Sequence, residues 1–373
     1  MISVGRETGA LHVVRFAPAK LNLTLAIVGR REDGYHALHS VMVPLSLGDA
    51  LTVSTRPAGA DKDTLRVTGL TVSASPGNLV MRAIAAARDA VAEEWAGTAR
   101  APGPRPALAP LAALLAKRIP VASGLGGGSS DAAAAIYASL AAWSVGLDPA
   151  RRSSLAASLG SDVPFFLAGG AALITGRGEV VEPLPDFEGE PPAVLLVTPR
   201  LPVATAAVFE AFAGGTRRGV DSRALEISER LAAEMLAGLD KSALLDRAHE
   251  LATANDLAPA AASLAPGLQA FRAALEKVVA RPVCQSGSGP TLWALYQNLA
   301  EARKAVRFVR LAAVNGTLPQ VGAGEPFVAA TTIAGRSKLP VVSPPDGAAG
   351  TIRPRTVHNG FDADGRGTDD RAE

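Results

Sequence analysis

Pro120, Val121, Ala122, Ser123, Gly124, Leu125, Gly126, Gly127, Gly128, Ser129 and Ser130 run directly into Asp131 and an alanine-rich stretch. Glycines without a Cβ let backbone approach a ligand closely. Successive amides opening into a helix N-terminus make an anion site whose usual occupant is phosphate. Ser129 and Ser130 are expected to supply N-cap hydroxyls to the helix that follows. Two charged residues could act on a phosphate held there. Lys20 could meet developing negative charge, and Asp162 could accept a hydroxyl proton, a role worth about 10²–10⁴ in rate. On the residues alone, Lys20 reads more readily as a solvated strand residue, and Asp162 equally as the cap of a short Val-Pro-Phe-Phe helix.

The loop fits neither common nucleotide fingerprint. No lysine lies between Pro120 and Ser130, as a Walker loop requires. Ser129 stands where a dinucleotide fingerprint needs its third glycine after Gly124 and Gly126. No His-Arg-Asp or Asp-Phe-Gly run marks a protein kinase. His249-Glu250 begins like a zincin motif, but Thr253 occupies the second histidine's place. A metal held by protein alone is not expected; magnesium arriving with a nucleotide is left open by the residues.

The chain has 373 residues, 48% of them apolar, enough for two domains and a generous core. Its formal charge is +2 and its aromatic content 4%, so it lacks the basic stripe and stacking residues of a nucleic-acid binder. Cys284 is the only cysteine, which excludes an intramolecular disulfide and fits the reducing cytoplasm. No apolar run is long enough to cross a bilayer.

The elements that must position these residues read as follows. Leu21, Leu23, Leu25 and Ile27 alternate with Lys20, Asn22, Thr24 and Ala26, a strand with one apolar face. Val41, Val43 and Leu45 repeat the pattern beyond an Asp33-Gly34 turn, so residues 11–56 are expected to be strands. Asn78 caps a helix to about Trp95, and residues 96–110 form a surface loop. A strand near 112–119 leads into the glycine loop, and the helix after the loop runs to about Val145. The next helix has Asp148 as N-cap, Pro149 at its first position and Gly160 past its end. After a strand at 171–175 comes an acidic, proline-containing link from Glu182 to Pro192. Strands near 193–198, 282–285, 291–296 and 326–332 then alternate with helices near 204–213, 223–253, 266–279 and 299–311. That order suggests an antiparallel sheet with helices on one face. Residues 335–373 read as a disordered tail.

Pro18-Ala-Lys-Leu-Asn-Leu23, Pro120–Ser130 and Ser286-Gly-Ser-Gly-Pro-Thr-Leu292 resemble, in order, the three motifs of the GHMP small-molecule kinases. Asp33-Gly34-Tyr35-His36, Leu159–Phe165 and Asn255-Asp-Leu257 are similar to one branch of that family, and the resemblance spans roughly residues 11–334. It implies an α+β fold of two domains. Residues 11–185 would be an N-terminal mixed β/α ATP-binding domain and residues 193–334 a C-terminal ferredoxin-like α/β sandwich. It implies ATP, with Mg²⁺ bound alongside, and phosphorylation of the 2-hydroxyl of a cytidine diphosphate conjugate of methylerythritol in isoprenoid biosynthesis. Matching positions make Lys20 and Asp162 the catalytic pair and give the ATP phosphates to Pro120–Ser130. Tyr35, His36 and Phe209 would receive the cytosine, with Asn22, Thr205, Gly287 and Gly289 around the substrate. No nucleic acid or membrane partner is implied, and the protein would be a monomer or homodimer.

The competing readings are another GHMP kinase (homoserine, mevalonate or sugar), a non-catalytic nucleotide-binding module of the same fold, and a structural or RNA-associated protein. Tyr35-His36 with Phe209 argues for the cytidine branch, since a cytosine clamp is useless to the other substrates. Keeping both Lys20 and Asp162 argues against lost chemistry.

Overall fold

A computed structural model of the chain describes residues 2–7, 10–57, 59–97, 107–214 and 223–336. Strands β1 (Ile2–Glu7), β2 (Ala10–Asn22), β3 (Ala26–Arg30), β4 (His36–Thr55), β5 (Thr64–Gly69), β6 (Leu111–Lys117), β7 (Ala172–Thr175) and β8 (Val180–Pro183) form a first sheet. Its main path is β1-β2-β4-β6-β5, with β3 and β7 also on β4 and β8 on β7. Only the β5–β6 pairing is parallel among the described residues. Helices α1 (Leu79–Gly97), α2 (Gly127–Trp143), α3 (Pro149–Leu159) and α4 (Val163–Ala168) pack against it. In α2, Ala132, Ala133, Ala135 and Ala138 are buried against Ile84 and Ala87 of α1 and Val53 and Leu115 of the sheet. Side chains this small let helix and sheet approach closely. β6, Leu-Ala-Ala-Leu-Leu-Ala-Lys, is a strand despite poor propensity because Leu111, Ala113 and Leu115 alternate into that core.

The expected caps at Asn78 and Asp148 are present: Asn78 Oδ1 accepts from the Val80 amide, and Asp148 Oδ1 from those of Ala150 and Arg151. Gly34, at φ 85°, makes the turn between β3 and β4.

β9 (Ala193–Thr198), β10 (Cys284–Gln285), β11 (Leu292–Tyr296) and β12 (Phe327–Thr332) form a second sheet. All its pairings are antiparallel, and its order β10-β11-β9-β12 is the ferredoxin-like one. Its helices are α5 (Thr205–Gly214), α6 (Arg223–Leu236), α7 (Lys241–Asp246), α8 (Ala248–Leu251), α9 (Ala258–Leu264), α10 (Leu268–Val279) and α11 (Leu299–Val314). The single helix expected over 223–253 is therefore three. Gly238 breaks it at φ 95°, and Asp240 starts the next by accepting from the Ala243 amide. Strand β5 and helix α9 were not expected, and the link expected from Glu182 begins inside β8. Residues 98–106 of the expected loop and 337–373 of the expected tail lie outside the described residues.

Leu195, Val197 and Leu292 pack beneath Phe271 and Leu275 of α10 and Val309 of α11. The opposite face is covered too: Val194, Leu196, Trp293 and Leu295 share a core with Leu21, Leu23, Val43 and Leu45 of the first sheet and Leu231 of α6. A bridge between Leu45 and Ile333 and a bond from the Ala334 amide to the Pro44 carbonyl stitch the two sheets together. No helix among the described residues is long and apolar enough to cross a membrane.

The shared core predicts one cooperative transition. Leu45→Ala should cost about 2–5 kcal/mol and lower a single melting midpoint followed by both far-UV circular dichroism and tryptophan fluorescence. Two separate transitions would show that the sheets are stable independently.

Candidate active site

The pairing of β2 with β4 slips between Pro18, opposite Gly48, and Lys20, opposite Pro44. This bulge turns the Lys20 amide away from β4 and onto the Leu125 carbonyl, 3.0 Å away in the glycine loop. Lys20 is only 4% exposed, which rules out a solvated strand residue. Its Nζ donates to Asn22 Oδ1 at 2.5 Å and lies 3.8 Å from Asp162 Oδ2. The Asn22 amide is held from behind: Nδ2 donates to Ser40 Oγ, which donates to the Thr24 carbonyl. Burial lowers the Lys20 pKa from the usual amine value, and the Asp162 charge opposes that shift. Asp162 precedes α4 but accepts no capping hydrogen bond, so its carboxylate is not used as a helix cap.

In the glycine loop the expected caps are corrected. Helix α2 starts at Gly127, with left-handed Gly126 as its cap residue and no side-chain cap, so Ser129 and Ser130 sit inside the first turn. The first amide bonded within the helix is that of Ser130, to Gly126. The amides of Gly127, Gly128 and Ser129 have no acceptor within the helix and are free for an anion. A Cβ on Gly126 would lie 2.9 Å from both Lys20 Cγ and Phe166 Cζ, and one on Gly127 3.0 Å from Lys117 Nζ. Gly126, in the left-handed region and closed in by Lys20 and Phe166, therefore has to be glycine.

The Ser286–Pro290 loop supports the cradle from behind. Ser286 Oγ donates to the Gly124 carbonyl, and the Thr291 amide to that of Ser123. Asn255 Nδ2 in turn donates to the Gln285 and Gly287 carbonyls, fixing that loop.

These segments enclose a cavity of about 570 Å³, a size suited to a nucleotide or similar small molecule. Its walls bring together Lys20, Asn22, Asp162, Thr205, Phe209 and Gly287 with Pro120–Gly124 and Gly126–Ser129. Leu125 and Ser130 are instead buried at 0% and 1% exposure and do not line it; nor does Gly289, which packs against Gln285. Tyr35 and His36 are set back from the cavity wall. His36 stacks on Phe209 with centroids 5.5 Å apart and meets the edge of Phe212. Burial, then the Arg30 charge, holds the His36 imidazole below its usual pKa. Tyr35 is 57% exposed and lies under the Arg177 guanidinium.

Three charged lining residues escaped sequence reasoning: Arg177, Lys117 and Asp131. Lys117 Nζ lies 2.5 Å from Asp49 Oδ2 and 2.6 Å from Asp131 Oδ2. Asp49 also accepts the Arg118 and Ile119 amides. Burial opposes the charge on Lys117, but Asp131 and Asp49 outweigh it and leave its pKa raised. Asp131 is pushed well above the usual carboxylate range by burial and by the Asp49 charge, against the pull of Lys117. A lysine closing the apolar run of β6 was the available signal; the distant Asp49 could not be paired with it from sequence.

The lowered Lys20 pKa has a definite sign. A lysine that is harder to protonate when folded destabilises the fold below its folded pKa, and that loss is relieved as pH rises toward the unfolded value. Lys20→Met should therefore abolish activity yet melt at or above the wild-type temperature at pH 7, with the advantage shrinking toward pH 10. A melting point several degrees lower at pH 7 would mean that the ion pair with Asp162 is a net stabiliser.

The model for the N-terminal domain of GHMP kinases matches residues 78–170. The 4-diphosphocytidyl-2-C-methyl-D-erythritol kinase of Sinorhizobium medicae is 36% identical over 330 residues, covering 86% of this chain and 95% of that protein. The enzyme of the same name from Deinococcus radiodurans is 40% identical over 292 residues, 78% of this chain and 86% of that protein. A crystal structure of 4-(cytidine 5'-diphospho)-2C-methyl-D-erythritol kinase superimposes with a TM-score of 0.59 at 30% identity, over 86% of this chain and 99% of that one. A homoserine kinase from Cytophaga hutchinsonii shares the fold at a TM-score of 0.57 and 19% identity, over 88% of this chain and 96% of that one. With such identity running through both sheets, and with the cradle and its support built as described, the chain belongs to the GHMP kinase family and is a kinase.

Proposed function

We propose that the protein transfers the γ-phosphoryl group of ATP to the 2-hydroxyl of 4-diphosphocytidyl-2-C-methyl-D-erythritol, a step toward isoprenoid precursors. The observation that carries the reading is a juxtaposition. The Lys20 ammonium and Asp162 carboxylate, 3.8 Å apart, open into the same cavity as the free amides of the glycine cradle. In the transfer the substrate O–H bond breaks and its proton passes to Asp162. The oxygen bonds to the γ-phosphorus as the bond to the bridging oxygen breaks, and ADP leaves. The transition state is loose, so positioning and charge stabilisation supply most of the rate. Lys20 favours the alkoxide-like oxygen, and the amides of Gly127, Gly128 and Ser129 meet the phosphate charge. Phe209 and His36 offer stacked flat faces to a pyrimidine, with Tyr35 at the rim. In this reading residues 11–185 handle ATP and residues 193–334 supply Thr205, Phe209 and the supporting loop. The chemistry suits a reducing cytoplasm, where the buried Cys284 has no disulfide partner.

Magnesium fits the site as a companion of the nucleotide. No cluster of three or more metal-ligating side chains exists among the described residues. Asp131 Oδ1, however, is buried without a partner, and Ser129 shares its cavity. Those two oxygens would hold the ion, with phosphates and water completing its shell; when bound it supplies neutralisation of phosphate charge.

Asp162→Asn should leave ATP binding nearly intact and lower kcat at least about a hundredfold. Unchanged turnover would remove Asp162 as the base. ATP consumption should be measured with the cytidine diphosphate conjugate, methylerythritol phosphate, mevalonate and homoserine side by side. It should be supported by the first alone and inhibited by CMP or CDP. Turnover of homoserine or mevalonate without such inhibition would assign the chain to another branch.

A further inference from the structure

Behind the glycine loop lie two guanidiniums with no counter-charge. Arg15 of β2 lies over the Tyr137 ring of α2, 4.5 Å from its centroid, and Arg152 of α3 lies over the same ring at 5.3 Å. Among the described residues neither side chain forms an ion pair or hydrogen bond, although nine other cationic side chains pair with acids. A ring face compensates a cation only weakly. Two cations on one ring still repel each other. Burial, opposed by Tyr137, pulls the Arg15 pKa down to about 10, which leaves it charged at neutral pH.

Beside Arg15 is a cleft of about 80 Å³ lined by Ser130, Tyr137, Phe165, Phe166 and Gly169. That is several times the roughly 10–15 Å³ a single water needs. Ser130 is 1% exposed, and its Oγ has no hydrogen-bond partner. A buried hydroxyl left unpaired carries its full desolvation penalty unless something enters to accept from it. The nucleotide cavity and this cleft share no lining residue. Phe166 forms the partition, since its ring also reaches the space that a Gly126 side chain would occupy on the catalytic side.

We propose that this cleft is a second anion site, which takes a tetrahedral oxyanion of the phosphate class between the Arg15 guanidinium and the Ser130 hydroxyl. Arg152, over the same Tyr137 ring, adds charge nearby. An occupant there braces the first turn of α2 from behind, on the side away from the nucleotide.

The test uses the full chain saturated with a non-hydrolysable ATP analogue, so that the catalytic cradle is already filled. Inorganic phosphate is titrated against KCl of equal ionic strength, with melting temperature and calorimetry as readouts. Wild type should show a saturable rise in melting temperature that KCl does not reproduce. Arg15→Gln should weaken phosphate binding at least about tenfold, and Arg152→Gln and Ser130→Ala by a smaller but measurable factor. Ethyl phosphate binding with the same variant pattern would support the same site with a phosphoryl group on a larger molecule as occupant. Absence of a saturable response, or equal affinity in Arg152→Gln and Ser130→Ala compared with wild type, overturns the proposal even if Arg15→Gln fails to fold.

Discussion

An ammonium held almost wholly out of water is the constraint around which this protein is arranged. Lys20 reaches its position only because β2 bulges after Pro18 and gives its amide to the glycine loop. Its charge then has to be met by something other than solvent. Asn22 provides an oxygen because Ser40 takes the other end of its amide, and Ser40 is in turn fixed to Thr24. Asp162 provides the opposite charge at a separation that still admits a ligand. Lys20 and Asn22 share β2, Ser40 lies on β4 and Asp162 comes from the turn before α4, so the set joins segments far apart in the chain.

A second buried lysine shows why the first is available for chemistry. Lys117 is gripped by two carboxylates and its charge is reinforced, whereas Lys20 has one carboxylate and a neutral amide and its charge is weakened. The first arrangement fixes the floor beneath Gly127. The second leaves a less fully compensated cation facing the cavity, where an incoming anion adds what the protein withholds.

Much of this was legible in the sequence where one residue type has one physical use. Glycines at 124 and 126–128 mark backbone that must approach something closely, and Asp33-Gly34 marks a tight turn. The alternation around Lys20 was legible as a strand but misleading about solvent. The face bearing Lys20, Asn22 and Thr24 is buried as well, Lys20 and Asn22 beside the distant Ser286–Pro290 loop and Thr24 against Ser228 of α6. The serine caps failed because a glycine in the left-handed region had already ended the preceding turn, making a side-chain cap unnecessary. The segment 223–253 read as one helix because its apolar period continues past Gly238. Strand β5 was invisible because it is a short edge strand in which only Leu65 and Val67 pack, partly buried, against the core, too brief an alternation to mark a strand.

The union of Pro44 and Leu45 with Ile333 and Ala334 joins β4 to the segment just after β12, the last strand among the described residues. During synthesis, therefore, Leu21, Leu23, Val43 and Leu45 emerge from the ribosome long before the strands that cover them. The nascent first sheet carries a bare apolar surface for most of translation. Such surface makes a newborn chain depend on chaperones or on rapid completion to escape aggregation.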